Sequence, residues 1–163
     1  IAISPIKNNN RMEWFVEKSI EIGIDEISFI DCDRTLRHTI KVNRILKTAI
    51  SAMKQTLKAS LPKINNICSF DEFLRNNKES NKFICHLEDN NRLEIFKFKN
   101  QLHKKKDTCI LIGPEGDFTP AEVNGVLTAG VHPITLGQVI LRSETAALYT
   151  VSVLNYEMQS PRD

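Results

Sequence analysis

Residues 110–149, ILIGPEGDFTPAEVNGVLTAGVHPITLGQVILRSETAALY, carry the strongest structural signals in the chain. They contain two glycine-bearing turns, GPEGDF at 113–118 and LGQVILR at 136–142. Each turn follows a short apolar run and precedes a helical pattern, and the run CILI at 109–112 predicts a fully buried strand. Two such turns at strand ends in one α/β domain predict a ligand crevice at that edge of the sheet.

The helix after the first turn has three agreeing start signals. Thr119 is a typical N-cap residue, Pro120 suits the first helical position, and Glu122 at the third position completes a capping box. We expect this helix to cover residues 120–129 and to end at Gly130.

Strands and helices alternate along the whole chain. The apolar patterns predict strands at 1–3, 26–30, 64–68, 83–87, 108–112 and 131–136, and helices at 11–22, 41–60, 71–76, 92–99, 120–129 and 144–158. No linker, repeat or low-complexity segment interrupts the alternation. We therefore predict that residues 1–163 form a single α/β domain, with a mostly parallel sheet and helices on both faces.

Composition sets limits on the function. The formal net charge is +2, from 22 Lys and Arg against 20 Asp and Glu, so the balance neither requires nor excludes a nucleic acid partner. We find no apolar run long enough to span a membrane and no signal-peptide pattern. The four separated cysteines, without a CxxC pair, indicate reduced thiols in a cytoplasmic protein, and the scattered histidines predict no metal site.

The first glycine turn differs from phosphate-binding loops. No Lys-Ser or Lys-Thr follows its glycines, and the GxGxxG spacing is absent. Glu115 and Asp117 would repel a phosphate, so a neutral or cationic ligand held by backbone groups suits the turn better. The alternative is that both turns are only tight connections between strands and helices.

Two of the predicted helices carry surface features that packing against one hydrophobic core does not require. Helix 41–60 has an apolar stripe that extends to Leu57, and off that stripe it carries only positive charges, at Lys41, Arg44, Lys47, Lys54 and Lys58. Such a face indicates either an anion-binding surface or a chance distribution. Helix 144–158 is apolar on more than one face, which indicates a second packing partner such as another subunit.

These motifs resemble those of one known family. The two turns, extended to Glu144-Thr145-Ala146, resemble the 16S ribosomal RNA uridine N3-methyltransferases, which belong to the SPOUT class of S-adenosylmethionine-dependent enzymes. The resemblance covers nearly the whole chain, because matching positions also lie upstream at Met12, Lys18, Glu21, Gly23, Arg34, Ala52, Gln55, Leu61 and Pro62.

The resemblance implies a sheet whose C-terminal part forms a deep trefoil knot, an exception to the rule that chains are unknotted. S-adenosylmethionine would bind in the knot, leave as S-adenosylhomocysteine, and require no metal. The resemblance also implies a homodimer through the C-terminal helix. Members of the family carry an N-terminal PUA-like RNA-binding domain, which we expect to be absent here, so that the chain resembles the catalytic domain alone. The implied donor-binding residues are Leu87, Ile112, Gly113, Pro114, Glu115, Gly116, Leu136, Gly137, Ile140, Leu141 and Thr145.

The implied reaction removes a proton from N3 of a uridine in the 16S rRNA of the small ribosomal subunit. It needs a general base, or cations that stabilise the uridine anion. Glu144 is the candidate base and Arg142 the candidate cation; the alternatives are a helix-start carboxylate and a structural ion pair. The residues expected to contact RNA phosphates are Arg11, Arg34, Arg37, Lys54 and Lys58.

Three positions depart from the family pattern. Asp117 stands where the family usually has Gly, Val139 where it usually has Arg, and Lys58 near where it often has Arg. Asp117 would place negative charge near the cationic sulfonium of the donor. The alternative functions are a SPOUT enzyme that methylates a ribose 2′-hydroxyl or another base, and an RNA-binding module with weakened catalysis.

Overall fold

A computed structural model describes residues 1–88, 92–98 and 107–159 of the chain. The strands are β1 (Ala2–Ile3), β2 (Glu26–Asp31), β3 (Lys63–Ser69), β4 (Asn81–Cys85), β5 (Leu93–Glu94), β6 (Thr108–Ile112) and β7 (His132–Thr135). The helices are α1 (Asn9–Ile22), α2 (Val42–Gln55), α3 (Phe70–Asn76), α4 (Pro120–Thr128) and α5 (Ser143–Gln159). A short 3-10 helix covers Ile95–Phe98.

The strands form one seven-stranded sheet in the order β3-β2-β1-β6-β4-β7-β5, and the described pairings are all parallel. Strand β6 enters late in the chain and pairs with β1 on one side and β4 on the other, so that Ile112 lies opposite both Ile3 and Cys85. Ile134 of β7 lies opposite Cys85 in turn. The carboxyl ends of these four strands therefore form one level row at the same edge of the sheet.

Alternate residues of the central strands enter two separate hydrophobic clusters. Ile3 and Phe83 belong to the first cluster, which includes residues of α1, α2 and α5. Ala2 and Ile84 belong to the second, which includes residues of α3 and α4. Because successive residues of a strand face opposite sides of the sheet, helices cover both faces. The predicted fold class, a parallel α/β sheet between helices, is confirmed.

Local side-chain hydrogen bonds fix the helix starts. The predicted capping box of α4 is present, because the Thr119 hydroxyl accepts from the Glu122 N–H and the Glu122 carboxylate accepts from the Thr119 N–H. Asn8 caps α1 by accepting from the N–H groups of Asn10 and Arg11. At the other end of α1, Gly23 adopts φ 127° and donates to a carbonyl of the last turn.

The prediction that α2 extends to residue 60 was wrong, since the helix ends at Gln55. Leu57 has φ 55°, and the N–H of Lys58 donates to the Met53 carbonyl, which is the hydrogen-bond pattern of a Schellman motif. Leu57 is 92% exposed, so it does not continue the apolar stripe. The Thr56 hydroxyl, which bonds back to the Ala52 carbonyl, contributes to this early end.

Among the other differences from the sequence prediction, two lie close to the end of β4. Strand β4 ends at Cys85 rather than Leu87, because its neighbour β6 ends at the opposite residue, Ile112. The segment predicted as a helix at 92–99 forms strand β5 and the 3-10 helix, and residue 99 lies outside the described residues. Because β4 lies two residues earlier than predicted, His86 and Leu87 are in the loop that follows it.

The four cysteines are free thiols. Burial raises the pKa of the Cys32 and Cys85 thiols above the usual value, so both stay protonated at neutral pH. Across the described ranges we find no helix with the length and apolar character needed to cross a bilayer. The cytoplasmic location expected from the cysteine pattern stays a prediction.

Candidate functional site

The loops that follow β4, β6 and β7 meet beyond the level row of strand ends. Residues 6–11 and the start of α5 close the remaining sides, and the enclosed cavity has a volume of about 680 Å³. A cavity of this size is typical of a small-molecule site, and strand ends are where parallel α/β sheets bind ligands. The two glycine turns that the sequence singled out form two of its walls.

The first turn, residues 113–118, needs glycine at its start. A Cβ added to Gly113 would lie 3.0 Å from Cδ2 of Phe118, whose side chain is fully buried. The N–H of Asp117 donates to the Pro114 carbonyl at 3.0 Å and closes the turn. Asp117 itself has φ 61°, a left-handed conformation that Asp tolerates better than most residues.

Arg34 holds this turn from the side away from the cavity. Its Nη1 donates to the carbonyls of Gly116 and Phe118, at 2.9 and 3.2 Å. A Cβ added to Gly116 would lie 3.5 Å from the Arg34 side chain. Gly116, predicted as a donor-binding residue, is therefore directed toward Arg34 and is not among the residues that line the cavity. Arg34 thus has structural partners in this turn, and its contact with RNA stays a prediction.

Two carboxylates tie the first turn to neighbouring segments. Oδ2 of Asp117 accepts from the Leu87 N–H at 2.8 Å, which joins the turn to the loop after β4. Oε1 of Glu115 accepts from the Lys7 N–H at 2.7 Å, which joins it to the segment after β1. Because an exposed N–H gains a charged acceptor in each case, the walls of the cavity are connected to one another.

The second turn follows β7 and also depends on glycine. Gly137 has φ 121°, and its carbonyl accepts from the Thr135 hydroxyl at 3.0 Å. A side chain at this φ would be strained, although nothing lies within 4 Å of an added Cβ. Val139 and Ile140 follow in the turn and project mostly into solvent, so they form an apolar rim at the mouth of the cavity.

The start of α5 brings an ion pair into the cavity wall. Glu144 is 7% exposed, and its Oε1 lies 3.4 Å from Nη1 of Arg11. Arg142 precedes the helix at the cavity wall and is exposed to solvent. Arg11 was predicted to contact RNA phosphates and Glu144 to act as the general base. In the fold the two side chains form an ion pair. The role of Glu144 as a base and that of Arg142 as an anion stabiliser stay predictions.

His86 is a cavity residue that the sequence analysis did not select. It is 3% exposed, and neither ring nitrogen has a hydrogen-bond partner within the described residues. Burial lowers the pKa of its imidazole, so the ring is neutral at pH 7. Its position directly after β4, beside the predicted residue Leu87, was the available signal. No group of side chains in the described segments could hold a metal ion.

The remaining predicted residues divide into those at the cavity and those away from it. Thr145 is exposed and does not line the cavity. Arg37 donates to the carbonyls of Thr39 and Lys7, while Lys54 and Lys58 lie at the C-terminal end of α2, outside the cavity wall. The predicted donor-binding residues that do line it are Leu87, Ile112, Gly113, Pro114, Glu115, Leu136, Gly137, Ile140 and Leu141.

The loops that follow three adjacent parallel strands, β6, β4 and β7, line one cavity at the carboxyl edge of the sheet. This arrangement is typical of a ligand-binding α/β domain. Comparison with known sequences gives the particular family. The sequence model of the RNA methyltransferase domain matches residues 1–155, and the chain belongs to that family.

Individual relatives agree with this assignment. Ribosomal RNA small subunit methyltransferase E of Bacillus subtilis is 27% identical over 166 residues, which include 96% of this chain and 65% of the relative. The chain thus spans about two thirds of the length of that relative. A crystal structure from Porphyromonas gingivalis, described as a probable rRNA-methyltransferase, is 39% identical with a TM-score of 0.88, and covers 96% of this chain and 67% of its own.

A third comparison includes a ligand. The ribosomal RNA small subunit methyltransferase E of Neisseria gonorrhoeae was crystallised bound to S-adenosyl methionine. It is 28% identical to this chain with a TM-score of 0.82, over 94% of this chain and 63% of its own. The parallel sheet and the order of its helices are therefore shared with a protein that binds this cofactor.

Proposed function

We propose that the chain catalyses transfer of a methyl group from S-adenosylmethionine to N3 of a uridine in the 16S rRNA of the small ribosomal subunit. The observation that carries the proposal is the cavity at the strand ends, with Arg142 and Glu144 in its wall. The names of the relatives support the RNA substrate, and the Neisseria structure supports the donor. The proposal includes the deep trefoil knot around the donor site that the family resemblance implies.

The cavity fits a donor of this chemistry. The glycine turns expose backbone N–H and carbonyl groups that can bind the polar edges of a nucleoside and an amino acid. The carboxylates of Glu115 and Asp117 suit a sulfonium cation and disfavour a phosphate. His86 supplies an imidazole without a hydrogen-bond partner in the described residues, which suits an uncharged polar ligand group.

When bound, S-adenosylmethionine supplies an electrophilic methyl group, and the chain must supply the rest. N3 of uracil has to lose its proton as it is methylated, so the site must accept a proton or stabilise the resulting anion. Arg142 is exposed at the cavity wall, where it can approach a base extruded from the RNA. Glu144 is held by Arg11, which fixes the position of the carboxylate that we propose accepts the proton.

Two further surfaces belong to the proposal. Helix α5 buries one side against α1 and β6 and exposes Tyr149 and Tyr156 on the other, which suits a second copy of the chain. Lys54, Lys58 and Arg37 would contact phosphates without reading the RNA sequence. Both surfaces are expected to add to binding of the small ribosomal subunit rather than to the chemistry.

The first test is calorimetric titration of the chain with S-adenosylmethionine. We expect saturable binding that is lost or weakened at least tenfold in Gly137→Ala, because a side chain at φ 121° distorts the turn that forms the cavity wall. Gly130→Ala is the matched control, because Gly130 also has positive φ, 81°, but lies beyond α4 and away from the cavity. Absence of binding by the folded wild-type chain would refute the proposal.

The second test identifies the modified atom. The chain is incubated with donor and unmethylated small ribosomal subunits, and the nucleosides are analysed by mass spectrometry against standards. We expect 3-methyluridine, with strongly reduced yield in Arg142→Ala. Appearance of a 2′-O-methylated nucleoside would instead favour the related ribose-methylating enzymes.

A further inference from the structure

The carboxylates that line the cavity differ in what opposes their charge. Glu144 faces the guanidinium of Arg11. Asp117 accepts a hydrogen bond from the uncharged Leu87 N–H, and none of the ion pairs within the described residues includes it. His86, which lies near Asp117, does not neutralise it, because burial keeps the imidazole uncharged at neutral pH. Within the described residues Asp117 therefore has no ion-pair partner, although Arg11, Arg92 and Arg142 also line the cavity.

The local backbone holds this charge in place. Asp117 has φ 61° and donates its N–H to Pro114, while its Oδ2 bonds the loop after β4 at Leu87. One hydrogen bond thus fixes the Asp117 backbone and another fixes its carboxylate, which lies between two of the loops that form the cavity. Asp117 also lies close to Cys85 at the end of β4. Burial raises the pKa of the Cys85 thiol, and the negative charge of Asp117 raises it further.

We propose that Asp117 is a specificity-determining residue that makes the cavity prefer the cationic methyl donor to the uncharged thioether product. This inference rests on the proposed function, and it concerns the charge on the sulfur of the bound ligand before and after methyl transfer. The methyl carbon leaves sulfur for N3, sulfur keeps the electron pair of the broken bond, and the N3 proton passes to a base. The bound ligand therefore loses one positive charge at sulfur in each turnover.

A fixed negative charge in the wall affects the two ligands differently. It stabilises the sulfonium and has little effect on the thioether, so it favours exchange of product for fresh donor. It also stabilises the reactant more than a transition state in which the positive charge is being lost. The selectivity between donor and product is therefore expected at some cost to the rate of the chemical step.

The test compares the affinities of S-adenosylmethionine and S-adenosylhomocysteine for the full chain and for Asp117→Asn, by calorimetry at low ionic strength. Asn tolerates the left-handed conformation and can still accept from the Leu87 N–H, so the substitution removes the charge alone. We expect donor affinity to fall about fivefold and product affinity to stay unchanged. Asp71→Asn is the charge-matched control, because Asp71 lies in α3, away from the cavity, and it should change neither affinity.

The outcomes separate this inference from the proposed function. If the wild-type chain binds neither ligand, the proposed function fails. If the wild type binds both but Asp117→Asn leaves their affinity ratio unchanged, or weakens both equally, the charge does not set the preference and the inference is overturned. Asp117→Gly provides a second measurement that relieves any backbone strain. It should reduce the preference for the donor to the same extent, even if loss of the Leu87 contact weakens both ligands.

Discussion

Replacement of Gly113 by Ala tests the packing of the first turn. The Gly113 backbone does not have positive φ, so an alanine there has no intrinsic backbone strain. Gly→Ala at a compatible site normally stabilises a protein by about 0.4–1 kcal/mol. Here the new methyl group would lie 3.0 and 3.1 Å from two ring carbons of Phe118, closer than carbon atoms approach without repulsion.

The magnitude follows from how little Phe118 can move. Its side chain is fully buried, and its ring centroid lies 5.4 Å from that of Phe70 on α3. Overpacking at such a site costs about 1–3 kcal/mol. A domain of this size loses about 2–4 °C of melting temperature per kcal/mol, so we expect the melting temperature of Gly113→Ala to fall by about 2–12 °C, measured by differential scanning calorimetry.

Replacement of another glycine by alanine is expected to raise the stability of the protein rather than lower it. Gly125 lies inside α4 with nothing within 4 Å of an added Cβ, so Gly125→Ala should raise the free energy of unfolding by about 1 kcal/mol. Phe118→Leu should relieve the clash, so that the double variant loses less stability than the sum of the single variants by about 1 kcal/mol. A Gly113→Ala variant as stable as the wild type would refute the reasoning.

Three further predictions concern other sites. Leu57→Gly should raise the free energy of unfolding by about 0.5–1 kcal/mol, because it removes a left-handed leucine, whereas Leu57→Ala should bring no gain in a urea titration. A double-mutant cycle with Arg11→Ala and Glu144→Gln should give a coupling of about 0.5–1 kcal/mol, since Arg11 is half exposed; zero coupling would mean that the pair is not formed in solution. Burial holds the pKa of His86 below its unfolded value, so stability is fully present above about pH 6.5 and falls as the pH drops below it. His86→Phe should lose stability less steeply between about pH 7 and pH 5 in thermal melts, and equal slopes would contradict the assigned protonation state.

Features that depend on neighbouring residues were predictable from the sequence. The capping box at Thr119 and Glu122 involves residues three positions apart, and both hydrogen bonds form as expected. The alternation of strands and helices likewise predicted a parallel sheet with two covered faces, because each pattern reports burial within one segment. The glycine turns, identified by composition and position, form two of the cavity walls.

Features that depend on distant residues were not predictable in this way. Arg34 stays a predicted RNA contact, but its two carbonyl partners lie more than 80 residues further along the chain and leave no local pattern in the sequence. Leu57 fitted the apolar stripe of α2, but the Schellman motif that ends the helix turns it into solvent. His86 belongs to no sequence motif, and its position directly after a strand does not show that it is buried at the cavity.

The placement of β6 also determines the order in which the sheet can be completed during synthesis. Strand β1 is only two residues long, and Ala2 and Ile3 pair with Leu111 and Ile112. Until the ribosome has made residue 112, the first three strands have an open edge at β1, and the row of strand ends that forms the cavity does not exist. Contacts of such long sequence separation make folding slow, and an unpaired strand edge favours aggregation. A nascent chain that stalls before β6 therefore lacks the site and also exposes the part of the sheet most prone to pair with another chain.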